Sequence, residues 1–169
     1  MKNLLFGTAI ILTLAFSTFA QKAAAGKPDP TKDVRDAFER LIDGIKQVDV
    51  DKVMASYEKS DRLLIFNNNG SATLGWETVK SNNASLYPKI SNVTLDVTGL
   101  RVEMLGKTAA YVSCKWKQSQ ENAGKVETSA GRMTLVFKLI GKDWKITHRH
   151  TSPESPDATR PVFPSERIN

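Results

Sequence analysis

The sequence predicts an α+β fold in which three N-terminal helices pack in a strongly curved, mainly antiparallel sheet around one pocket. Three observations carry this prediction. Apolar residues recur at helical spacing before Pro88 and at alternating spacing after it. The alternating segments are long and joined by short turns, the pattern of an antiparallel meander. Three helices cannot cover both faces of such a sheet, so a sheet curled around them, with a cavity at its open end, is the economical arrangement.

The chain opens with Met1-Lys2-Asn3, an apolar run from Leu4 to Phe16, and small residues at Thr18 and Ala20. Residues 1–20 are expected to be a signal peptide cleaved after Ala20, making the mature chain periplasmic or secreted. A membrane-spanning helix needs about 20 predominantly apolar residues, more than this run supplies. No stable membrane association is expected after cleavage. Residues 21–30 lack any periodic pattern and read as a flexible leader. Residues 31–152 form the domain, and the Pro-rich residues 153–169 read as a C-terminal tail.

Val34, Phe38, Leu41, Ile42 and Ile45 make one stripe of a first helix, which Asp29 or Thr31 is placed to cap. Asp49 is placed to cap a second, shorter helix carrying Val50, Val53, Met54 and Tyr57. Leu63 to Phe66 is a short strand, ended by the turn signal Asn67-Asn68-Asn69-Gly70. Trp76, Val79, Asn83 and Leu86-Tyr87 predict a third helix that Pro88 stops. Strands follow over Val93–Met104, Ala109–Lys117, Thr128–Leu139 and from Trp144, with a polar hairpin loop over Gln118–Lys125 and a turn at Gly141-Lys142-Asp143.

The formal charge is +6. Its Lys and Arg residues are scattered, with no basic block and no nucleic-acid motif, so they read as a solvated surface and no nucleic-acid partner is expected. The one cysteine, Cys114, excludes an intrachain disulfide and alternates in phase with Val112 and Trp116, as a packed core thiol would. His148 and His150 are the only histidines. Two residues on one strand fall short of the three or four ligands a metal site needs, so no metal and no cofactor are expected. Asn69, Asn83 and Asn92 head formal glycosylation triplets, to which no role is assigned.

Gly131-Arg132-Met133-Thr134-Leu135-Val136, the Gly141 turn, and Trp144 through Pro153 resemble the NTF2-like superfamily, in particular its SnoaL-like branch. They are also similar to the end of the association domain of calcium/calmodulin-dependent protein kinase II. The break at Gln47 to Asp51 and the helix start Gly75-Trp76-Glu77 fit the same pattern. The resemblance implies the cone-shaped NTF2-like fold and a homodimer formed through the outer sheet face. It leaves function open, because this fold hosts isomerases, dehydratases, cyclases, transport factors and assembly domains.

Steroid isomerases of this fold use a Tyr and an Asp; the matching positions here read Leu41 and Phe66 or Asn67, none of which moves a proton near neutral pH. That mechanism is disfavoured. The leading expectation is a pocket that binds a small organic ligand, an anion if Arg149 holds it, with Thr147, Thr151 and Arg132 beside it. Tyr57, Trp76, Tyr87 and Trp116 are the candidate aromatic walls. The alternatives are a lyase, isomerase or hydrolase using His148 or His150 as acid–base, and a non-catalytic assembly domain. In a strand Trp144, Ile146, His148 and His150 share one face, and Lys145, Thr147, Arg149 and Thr151 the other. The resemblance implies that the second set faces the pocket.

Overall fold

The computed structural model describes residues 29–154. The expected signal peptide, most of the leader and nearly all of the tail lie outside the described residues. Helix α1 (Lys32–Lys46) buries Val34, Ala37, Phe38, Leu41 and Ile42 along the expected stripe. Asp29 fixes its entry: one carboxylate oxygen accepts the Thr31 backbone N–H at 2.8 Å and the Thr31 hydroxyl at 2.7 Å. Thr31 is the capping residue, but its own side chain makes no cap bond. At Val48 the backbone turns to φ 55°, and Asp49 then caps α2 (Val50–Ala55), accepting Lys52 N–H at 2.9 Å.

Two three-residue strands follow, β1 (Leu64–Phe66) and β2 (Ala72–Leu74), around the Asn67–Gly70 turn. Helix α3 (Trp76–Leu86) starts after Gly75 and runs into a 3-10 turn, Tyr87–Lys89, where Pro88 ends it. Four long strands complete the chain: β3 (Ile90–Met104), β4 (Ala109–Asn122), β5 (Lys125–Ile140) and β6 (Asp143–Pro153). The six strands lie in the order β2-β1-β6-β5-β4-β3. Every pairing is antiparallel except β1 with β6, which is parallel. Helix α1 touches both β3, at one edge, and β6, so the sheet wraps around it. The core fills the inside of this wrap, with Leu41, Met54, Leu63, Ile65, Leu135, Phe137 and Ile146 all but inaccessible. Cys114 is among the core residues, and burial pushes its thiol up to about 11.

The structure corrects three expectations. β2 had no signal in the sequence. The polar segment Gln118–Lys125 is not a loop: β4 and β5 run on through it, and the turn shrinks to Ala123-Gly124, both at positive φ, as two-residue hairpins require. Apart from exposed Val126, this extension is polar because it projects beyond the core, so backbone pairing holds it without apolar alternation.

The third correction concerns β6. Phe137 pairs with Ile146 and Val136 with His148, which leaves Thr147 as an extra residue, a β-bulge. The bulge reverses the alternation. Trp144 and Ile146 before it, and Arg149 and Thr151 after it, all point inward. His148 and His150 point out.

Candidate functional site

The bulge aims Arg149 into the cone. Arg149 lies opposite Leu135 and Thr151 opposite Met133, both buried inner-face residues of β5. On the other side Arg149 pairs with Ile65 of β1, which is also buried. Asn67, two residues beyond Ile65, returns to the inner face. Tyr57 follows α2 and is laced to β6: Ile146 N–H donates to Ser56 O and Glu58 N–H to Ile146 O, each at 2.9 Å. These placements bring Arg149, Tyr57 and Asn67 together. The guanidinium donates from Nη1 to Tyr57 Oη at 3.0 Å and from Nη2 to Asn67 Oδ1 at 3.3 Å.

Both partners are neutral. Among the described residues no carboxylate lies within ion-pair distance of Arg149, its Nε–H is buried without an acceptor, and the Tyr57 hydroxyl hydrogen has none either. A half-buried cation with no counter-charge that lines a cavity suits an anion. Burial pushes Tyr87 up to about 12, with the Tyr57 phenol adding to the shift and Arg149 opposing it.

Arg149 opens on a cavity of about 790 Å³. Asn67, Asn68 and Asn69 of the β1–β2 turn form one wall, Asn82 and Asn83 of α3 a second, and Gln120 and Glu127 of the β4–β5 extension a third. Asn68 ties two walls together by donating to Ser129 Oγ at 3.0 Å, while the other end of its amide is buried and unpartnered. The sequence marks Asn67 to Gly70 as a turn, Asn67 as a position matching the isomerase base and Asn69 as the head of a glycosylation triplet, but none of them as cavity lining, and it does not single out Asn82. The available signal was the density of carboxamides around one turn and one helix. A second hollow, about 670 Å³ between α1 and the β5–β6 turn, is lined by charges of both signs, among them Asp33, Arg40, Asp43 and Lys142 and the pair of Lys145 with Asp143 at 3.5 Å.

The other expected site residues are dispersed. Thr151 faces inward and donates its hydroxyl to Phe66 O at 3.0 Å. Thr147 occupies the bulge and bonds Val136 O at 3.4 Å. Arg132 lies on the outer face, exposed, donating to Pro153 O at 3.1 Å; it is not in the cavity. Trp76 is not a wall either: it seals the joint of α2 and α3, donating Nε1–H to Met54 O at 3.2 Å beneath Lys59 and Lys80. Trp116 lies across Gly131, with its Cζ2 3.1 Å from where a Cβ would stand there and its Nε1–H buried without a partner. His148 and His150 flank Phe66 edge-on, with ring centres at 5.6 and 5.7 Å. His148 Nδ1 meets Leu64 O at 2.9 Å, which requires a proton on that nitrogen. Neither histidine lines the cavity.

Comparison with known proteins agrees with this architecture. The sequence profile of the SnoaL-like domain matches residues 34–156. Among curated proteins none matches the chain. An NTF2-like superfamily protein from Salmonella enterica superposes with a TM-score of 0.70 at 18% identity, covering 79% of this chain and 97% of its own. An NTF2-like protein from Shewanella oneidensis gives 0.60 at 24% identity, with 73% and 99% covered. A protein from Novosphingobium aromaticivorans named for a scytalone dehydratase gives 0.68 at 9% identity, with 82% and 95% covered. At these identities the likeness speaks for the fold alone.

Proposed function

The chain belongs to the SnoaL-like domain family, with the NTF2-like fold, and from that premise we propose that it is an exported binding protein whose cavity holds a small organic anion on Arg149. The observation that carries this reading is the guanidinium itself, half-buried, facing the cavity, and bonded only to a phenol and an amide. A carboxylate bound in the cavity would meet the guanidinium where Arg149 lines the wall and supply the missing negative charge. Acid–base catalysis by His148 or His150 fits less well, because both lie outside the cavity.

The test is a thermal-shift panel of small carboxylates. A ligand present at about 100 times its Kd stabilises the folded state by about 2.7 kcal/mol, a shift of several degrees for a domain of this size. Asn67→Asp should erase that shift while leaving the fold intact, since it sets a carboxylate where Oδ1 now lies 3.3 Å from Arg149. An Asn67→Asp protein stabilised by carboxylates as well as the parent would sink the reading.

The same proposal has Met1–Ala20 removed on export and two copies paired through the outer sheet face, where Phe66 and Leu74 are exposed beside half-buried Leu64. Light scattering on the exported protein should return twice the mass of a chain beginning at Gln21. A monomer at high concentration refutes the pairing.

A further inference from the structure

We infer that the anion held by Arg149 is a polyhydroxylated monocarboxylate. This rests on the carboxylate reading above and specifies the rest of the ligand. The cavity walls are nearly all polar: six carboxamides line them, joined by Ser71 and Thr73, against only Ile65, Val79 and Leu86 as apolar lining. A pocket for a flat hydrocarbon ring has the opposite balance, a mostly apolar wall with a few polar groups.

The hydrogen-bonding state of those amides narrows the choice. Asn67 is spent: it accepts from Arg149 and donates to Ser71 Oγ and Thr73 Oγ1 at 3.1 and 3.0 Å. Gln120 is spent on Gln118 and Glu127. Others keep capacity. Asn83 uses only its Nδ2, toward Met54 Sδ at 3.5 Å, which leaves its oxygen. Asn69 uses only its oxygen, toward Ser71. Asn82 makes no side-chain bond among the described residues. The unspent groups therefore include donors and acceptors on two walls. A hydroxyl both donates and accepts, so a chain or ring of hydroxyls matches this mixture where an alkyl or aryl body leaves it unpaired.

Charge fixes the number of carboxylates at one. Arg149 is the only cation lining the cavity, and Glu127 lines it too, well along β5 from Leu135, the register partner of Arg149. Glu127 accepts from Gln120 and Asn122 but has no cationic partner among the described residues. A second acidic end on the ligand would meet it.

Isothermal titration of the protein with four probes decides the matter: D-gluconate, hexanoate, D-glucose and D-glucarate. Gluconate should bind at least about tenfold more tightly than each of the others, and Asn82→Ala should weaken gluconate about fivefold without changing hexanoate, a step of about 1 kcal/mol at 1.4 kcal/mol per decade. Hexanoate binding as well as gluconate overturns the hydroxyl inference and leaves the carboxylate site standing. Glucose matching gluconate, or no probe binding at all, overturns the carboxylate reading as well. Glucarate matching gluconate overturns the limit to one carboxylate. The probe comparison uses the parent protein, so it holds even if the variant fails to fold.

Discussion

Replacing Arg149 with alanine is expected to weaken carboxylate binding by about 2–4 kcal/mol, a factor of about 30 to 1000, while leaving the far-ultraviolet circular dichroism unchanged. Binding should suffer because no other cation faces the cavity. The fold should tolerate the change because Arg149 makes only two side-chain bonds, to groups that water can satisfy once the guanidinium is gone. Arg149→Lys separates charge from geometry. An ammonium keeps the positive charge but cannot present the planar fork that meets Tyr57, Asn67 and a ligand at once, so about a tenfold loss is expected. Titration calorimetry with the best carboxylate of the panel measures all three proteins. An alanine variant that binds as the parent does removes Arg149 from the site.

The second large effect is structural. Gly131→Ala should destabilise the domain by about 3 kcal/mol, read as a lowered midpoint in urea at unchanged slope. A Cβ on Gly131 would run into the Ser152 carbonyl oxygen, and its next neighbour would be Trp116 Cζ2 at 3.1 Å. The first obstacle is backbone, which cannot swing aside as a side chain can. The end of β6 would have to separate from β5, loosening the Gly131–Pro153 and Arg132–Ser152 pairs and the Glu154 N–H bond to Ala130 O. Glycine stands in this strand because two backbones and an indole converge on it. A midpoint within experimental error of the parent would mean that β6 does not pass so close.

The parts of this fold legible in the sequence are those in which one residue's preference agrees with its neighbours'. The stripe from Val34 to Ile42 could only bury itself as a helix, and Asp49 caps α2 as its type and place suggested. The parts that stayed hidden depend on partners far away in the chain. Ala72-Thr73-Leu74 is a strand because β1 lies beside it; three exposed or half-buried residues carry no periodicity of their own. The extension of β4 and β5 is polar apart from Val126, so alternation could not mark it. Strand parity failed on β6 because the bulge at Thr147 arises from its fit to β5, which no local pattern encodes. The inward aim of Arg149 followed from the resemblance, where alternation from Ile146 would have set it on the opposite face. The carboxamide walls were unreadable for a different cause: Asn67 to Asn69 make a turn and line a cavity with the same residues, and only the turn has a sequence signature.

The parallel pairing of β1 with β6 also governs the order in which the molecule can be assembled. Leu64 and His148 are 84 positions apart, and β1 is made long before β6, its only neighbour besides β2. A ribosome delivers α1, α2 and the β1–β2 hairpin early, and a hairpin of two three-residue strands has little stability alone. It must wait for the final strand, across a large loop whose closure is entropically unfavourable and slow. Arg149 belongs to that strand, and Asn67 to Asn69 belong to the waiting hairpin. A nascent chain released before β6 therefore carries every helix of the domain and most of its sheet, yet lacks Arg149 and the strand that seats the Asn67–Asn69 turn.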